Sequence, residues 1–144
     1  MAETNIRIKK VESPEEMKAT KAIRLQVFVT EQNIPEPEEF DEFDNESEQF
    51  IAYYTDTPIG TARYRTTDTG IKFERFAVLP DYRHKGVGTR LMQSMLKETL
   101  PLAQKIYTHA QVESKRFYEK LSFITTGAPF SEAGINHIKM FFVP

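Results

Sequence analysis

The sequence predicts a single mixed α/β domain built around an antiparallel meander. Strand-like runs near residues 50–54, 59–65 and 71–79 follow one another through short turns. A glycine-containing turn then opens a strongly amphipathic helical segment at residues 88–100. No repeat, low-complexity tract or linker interrupts the 144 residues, a length suited to one domain with a real core.

Each element has its own signal. Ile6 to Val11 alternates apolar and charged residues, as a half-buried strand does. Ser13-Pro14-Glu15-Glu16 reads as a helix start, with a capping serine, a proline at the first helical position and the S-x-x-E box. The helix is expected to run to about Val29, offering Met17, Ile23, Val27 and Phe28 to the core, before Pro35 and Pro37 break the chain. Asp56-Thr57-Pro58 and Thr66 to Gly70 supply turns between the meander strands. Pro80-Asp81-Tyr82 ends the third of them. In the segment 88–100, Leu91, Met92, Met95, Leu96 and Leu100 form one apolar face. A short strand at 105–110, a short helix at 114–121 and closing strands at 123–126 and 137–143 complete the order β-α-β-β-β-α-β-α-β-β.

Composition narrows the function. Hydrophobic residues make up 40% and charged residues 28%, ordinary for a soluble globular protein. No stretch approaches the roughly 20 apolar residues of a membrane span, and the polar start lacks a secretory signal, so a cytoplasmic location is expected. The absence of cysteine removes disulfides, thiolate metal sites and a cysteine nucleophile. A net charge of −2 gives no general reason to expect nucleic acid as partner. The charge is uneven, however. Nine of the 21 acids lie in residues 31–48, which hold no Lys or Arg. That segment reads either as a solvated loop or as an acidic wall that attracts a cationic substrate. Asp44 to Glu48 lacks the glycine and spacing of a calcium loop, and no metal site is expected.

The turn Arg83-His84-Lys85-Gly86-Val87-Gly88 carries the chemistry. A strand that ends in a tight turn and feeds a helix points several backbone N–H groups at one spot, where the helix dipole also favours an anion. Gly86 and Gly88 let a phosphate approach the backbone, Arg83 adds a planar charged fork, and Lys85 and Thr89 are further donors. The run is not a P-loop, and Leu91 stands where a dinucleotide fingerprint needs its third glycine.

At these residues the chain resembles the GNAT superfamily of N-acetyltransferases, whose R/Q-x-x-G-x-G/A signature matches residues 83–88. Phe76 to Tyr82 resembles the family's fourth strand and its exit. Phe117 to Phe123 resembles its F-Y-e-k-l-G-F segment, with Ser122 in place of glycine. Gln111 stands where many members have Asn. Residues 24–32 and 132–140 add a likeness to a bacterial subgroup of small acetyltransferases. The resemblance implies a mostly antiparallel central sheet flanked by helices on both faces, in one N-acetyltransferase domain over residues 1–144.

It also implies a site. Acetyl-CoA, as co-substrate, would lay its pantetheine arm along Phe76, Ala77 and Val78. Its pyrophosphate would rest on the amides of Arg83, His84, Lys85, Gly86, Val87, Gly88 and Thr89. A backbone N–H near Val78 would stabilise the oxyanion, and Tyr118 would protonate the departing thiolate. Glu74 is a candidate base, or else the partner of Arg63, Arg65 or Arg75 in an ion pair. Glu31, Asp44, His137 and a water chain are alternatives, and His109 reads as a core or edge histidine. The acceptor is expected to be a primary amine on a small molecule or peptide, of cationic character, attacked directly in a ternary complex. A homodimer is compatible with the family. Two other readings stay open: a non-catalytic acyl-CoA-binding regulatory module, and a binder of a different phosphate ligand.

Overall fold

The computed structural model describes residues 5–40 and 42–144, without the side chain of residue 42. The polar residues 1–4, together with Asp41 and the Glu42 side chain of the acidic segment, lie outside the described residues. One seven-stranded sheet organises the chain. Its strands are β1 (Ile6–Lys10), β2 (Glu48–Tyr54), β3 (Thr57–Thr67), β4 (Gly70–Val78), β5 (Ile106–Gln111), β6 (Phe123–Glu132) and β7 (Ile135–Phe142), in the order β1-β2-β3-β4-β5-β7-β6. Every neighbouring pair is antiparallel except β4 with β5. Helices α1 (Pro14–Arg24), α2 (Glu36–Glu39), α3 (Val87–Thr99) and α4 (Lys115–Glu119) complete the fold.

Helix α1 starts as its sequence dictates, with Ser13 accepting from the Glu16 amide and Glu16 closing the capping box. It does not continue as an α-helix to Val29. After Arg24 the chain widens into a π-helical stretch, Leu25–Glu31, which turns Val27 and Phe28 inward. Helix α3 buries Leu91, Met92 and Met95 completely against the other sheet face, together with Phe50, Tyr64, Ile71 and Phe73. Leu100 does not join that face: the helix ends at Thr99, and Leu100 stays 47% exposed in a following 3-10 turn. Ile23, Val27, Phe28, Ile34 and Ala77 make the smaller core on the α1 side. The β6–β7 hairpin is longer than its sequence signal, because its exposed β6 residues carry little apolar alternation.

Two irregularities prepare the site. The parallel pairing of β4 and β5 covers only Ile71 to Phe73 against Ile106 to Thr108, after which the two strands part. Strand β4 also carries a bulge. Between Arg63↔Glu74 and Thr61↔Ala77, β3 advances two residues while β4 advances three, and Arg75 sits at φ 62°. The extra residue inverts the alternation, so Ile71 and Phe73, then Phe76 and Val78, face α3, whereas Glu74 faces the other side.

Candidate active site at the parted strands

The opening between β4 and β5 contains two cavities. The larger, about 1050 Å³, is lined by Phe76, Ala77 and Val78 of β4 and by Arg83, His84, Gly86, Val87, Gly88 and Thr89 of the turn. The smaller, about 390 Å³, lies on the α1 side and includes Glu38, Glu74, Arg75, His109, Glu132 and His137. Gln32, Phe76, Gln111, Ser114 and Tyr118 line both. The expected cofactor residues are therefore gathered along one wall, apart from Lys85, which is not in the lining.

The turn has the conformation of an anion cradle. His84 at φ 63° and Gly86 at φ 82° alternate with ordinary residues, and Gly86 caps α3 without any side chain bonding to the helix's first amides. A Cβ placed on Gly86 would meet nothing within 4 Å, so the turn borders open space. Gly88 has a different reason to lack a side chain. Its Cβ would stand 3.2 Å from the Phe117 ring, so this glycine serves helix–ring packing rather than phosphate approach. The Arg83 fork is also engaged within the chain. Its Nε donates to the Val78 carbonyl at 2.8 Å, and its two terminal nitrogens donate to Glu31, each at 2.7 Å. That hydrogen-bonded pair lowers the Glu31 carboxyl below its usual range and makes Glu31 a poor base.

Tyr118 is enclosed by aromatic rings: Phe76 at 6.0 Å, Phe117 at 5.0 Å and Phe123 at 5.7 Å between centroids. Burial pushes its hydroxyl up to about 12, so it remains a proton donor at neutral pH. Thr108 Oγ1 is near enough to oppose that shift, yet makes no hydrogen bond of ordinary geometry.

Glu74 lies in the small cavity but is held by cations. Arg63 Nε, Arg65 Nε and Lys72 Nζ approach its carboxylate at 2.8, 2.9 and 3.3 Å. Burial opposes its ionisation, and Arg63, Lys72, Arg75 and Arg65 more than offset this, holding the carboxyl at about 2. A carboxylate so stabilised accepts a proton poorly at neutral pH. The bulge also sets Glu74 on the sheet face opposite Phe76. Of the ion pairs expected from sequence, those with Arg63 and Arg65 form, while Arg75 Nε pairs instead with Glu39 at 3.3 Å.

The acidic segment is substantially neutralised within the chain. Fully buried Arg24 binds Glu39 and Asp44 at 2.8 and 2.6 Å, and Arg63 binds Asp44 at 2.7 Å. Glu31 is taken by Arg83, and Glu48 by Lys10. Among the described residues, this leaves Glu38 as the acid of that segment that lines the small cavity without an ion pair. A solvated loop is the wrong picture for Glu39 and Asp44, and the acidic wall is much weaker than its count of charges suggests.

Two arrangements escaped the sequence reading. Gln111 Nε2 donates to Gln32 Oε1 at 2.8 Å, tying β5 to the end of the π-helical stretch. His109, expected as a core or edge histidine, lies 3.1 Å from Glu132, a partner that the sequence does not indicate. The alternation Tyr107-His109-Gln111 already puts these three on one face. Glu132 was invisible as a partner because β6 was expected to stop at residue 126. Among the described residues, no group of three or more His, Asp or Glu side chains is placed to hold a metal ion. No helix among them is long and apolar enough to cross a membrane.

Comparison with known proteins agrees with this geometry. A family model described as an acetyltransferase (GNAT) domain matches residues 9–143. The uncharacterized N-acetyltransferase YjcF of Bacillus subtilis is 37% identical over 128 residues, covering 88% of this chain and 91% of its own. The crystal structure of a candidate N-acetyltransferase from Lactobacillus plantarum superposes with a TM-score of 0.86 at 28% identity, covering 95% of this chain and 97% of its own. An aminoglycoside 6'-N-acetyltransferase complexed with coenzyme A shares the fold, with a TM-score of 0.73 at 17% identity over 96% of this chain and 98% of its own. The chain belongs to the GNAT acetyltransferase family and has its fold, and its class of reaction is acyl transfer from CoA to an acceptor.

Proposed function

We propose that the protein transfers an acetyl group from acetyl-CoA to a primary amine of a small molecule or peptide, by direct attack in a ternary complex. The observation that carries this reading is the position of Tyr118, which lines both the cavity of the glycine turn and the smaller cavity beyond it. The pyrophosphate rests on the first amides of α3, and the pantetheine arm runs beside Phe76 to Val78 where β5 no longer pairs with β4. The acceptor enters the smaller cavity. Attack at the thioester carbonyl forms the C–N bond, a backbone N–H near Val78 receives the developing oxyanion, and Tyr118 protonates sulfur as the C–S bond breaks. The chain has no cysteine, so no cysteinyl acetyl-enzyme forms on it. The relative YjcF, an uncharacterized N-acetyltransferase, and the coenzyme A complex of the aminoglycoside enzyme support the choice of donor and of nitrogen as acceptor.

The test is release of free thiol from acetyl-CoA across a panel of primary amines. Turnover above acetyl-CoA hydrolysis with at least one amine is expected. Tight CoA binding without turnover of any amine would favour the regulatory-module reading instead.

A further inference from the structure

The smaller cavity is lined by a paired histidine and carboxylate. His109 of β5 is 26% exposed there, and its Nδ1 lies 3.1 Å from Glu132 Oε1 at the end of β6. Opposite an ionised carboxylate, Nδ1 carries the hydrogen, which fixes the tautomer and leaves the lone pair on Nε2. The hydrogen bond with His109 holds the Glu132 carboxyl below its usual range against its partial burial, and Lys72 adds to the effect. The ring is fixed in place as well: Phe130 meets it edge-on at 5.0 Å, and Tyr107 lies at 5.9 Å.

The three carboxylates that the sequence offers as bases are occupied, although Glu38 also lines the cavity without an ion pair. Glu74 is bound by Arg63, Arg65 and Lys72, Glu31 by Arg83, and Asp44 by Arg24 and Arg63. His137 also lines the cavity, but its Nδ1 faces the Ile135 carbonyl at 2.7 Å, a neutral group that stabilises an imidazolium less than a carboxylate does. The charged and titratable groups around His109 are Glu132 from β6, His137 and its register partner Lys139 from β7, Lys72 and Glu74 from β4, and Tyr107 on its own strand.

We propose that His109, oriented by Glu132, is the general base that deprotonates the acceptor amine. The proposal rests on the amine-acetylation reading above and adds a base to the Tyr118 acid. An alkylamine reaches the cavity as an ammonium ion. His109 Nε2 accepts one of its protons, and the freed nitrogen lone pair attacks the thioester carbon. As the tetrahedral adduct collapses, the C–S bond breaks. The second proton leaves the adduct nitrogen and restores the Tyr118 hydroxyl, replacing the one that Tyr118 gives to sulfur. His109 then releases its proton to water, so ammonium and thioester become amide, thiol and one proton. Glu132 is a positioning residue that acts through the ring.

The experiment compares two small nucleophiles at pH 7 with acetyl-CoA as donor: butylamine, which is almost wholly protonated, and hydroxylamine, which is already neutral. His109→Ala is expected to slow transfer to butylamine about 100-fold and transfer to hydroxylamine by less than about fivefold, with added imidazole restoring part of the butylamine rate. Glu132→Gln should slow butylamine transfer about tenfold, again sparing hydroxylamine. CoA affinity and circular dichroism establish that each variant is folded, and His109→Gln serves if His109→Ala is not. Equal losses on both nucleophiles without imidazole rescue would reduce His109 to a packing residue, and an undiminished butylamine rate would give the proton to another group. Either result overturns the proposal while leaving amine acetylation standing. A wild-type protein that binds CoA yet accelerates transfer to neither nucleophile and to no amine of the panel overturns both.

Discussion

Arg63 is fully buried in the middle of the sheet, where Glu74 and Asp44 meet its charge at 2.5 and 2.7 Å. Glu74 in turn faces Arg65 and Lys72, which makes it a structural anion. Its folded carboxyl is depressed to about 2, so its stabilising contribution is present above the unfolded value and is lost as pH falls through about 4.5 towards 2. The size of that depression corresponds to roughly 3 kcal/mol. Glu74→Gln should therefore lower unfolding free energy by about 2–3 kcal/mol at pH 7 and by little at pH 2.5, as measured by urea denaturation at both pH values. An equal loss at both would mean that the charge is irrelevant. At this scale the sequence was partly legible. It offered Glu74 as either base or ion-pair partner, and the bulge at Arg75 decided the matter by turning Glu74 away from the Phe76 face. A single residue at positive φ leaves no signature in an apolar–polar pattern. The pairing of Glu39 and Asp44 with Arg24 across 15 and 20 residues leaves none either.

The turn between β4 and α3 is the element whose meaning was clearest in the sequence, because strand, glycines and amphipathic helix follow in register within residues 71–100. The structure keeps the cradle but redistributes its parts. Gly86 supplies the positive φ and the open space, Gly88 makes room for Phe117, and the Arg83 fork is bound to Glu31. On the proposed function, affinity for the pyrophosphate then comes mainly from backbone amides and the helix dipole. Pantetheine, which shares the arm but lacks the pyrophosphate, should bind on the order of 100-fold more weakly than CoA by calorimetry, a loss of about 3 kcal/mol. Comparable affinities would place the binding energy along β4 instead. The smaller cavity was less legible, since it is assembled from α2, β4, β5, β6 and β7. No local pattern announces that His109 and Glu132 meet across 23 residues.

Across the whole molecule, the antiparallel meander and the parallel β4–β5 pair form one sheet that opens after Phe73 and Thr108. The order of elements was readable because each strand and helix carries its own periodicity and stop signals. The opening was not, because it is the place where a pairing ends rather than a property of either strand. It sets the two cavities end to end, with Tyr118 lining both. On the proposed function, acetyl passes from one cavity to the other past this hydroxyl. The direct measurement is the steady-state rate of Tyr118→Phe with its best amine acceptor, taken together with its dissociation constant for CoA. Transfer past Tyr118 predicts a fall in kcat of about 100-fold with CoA affinity within about twofold of wild type. An unchanged kcat, or a loss of rate matched by an equal loss of CoA affinity, would contradict it.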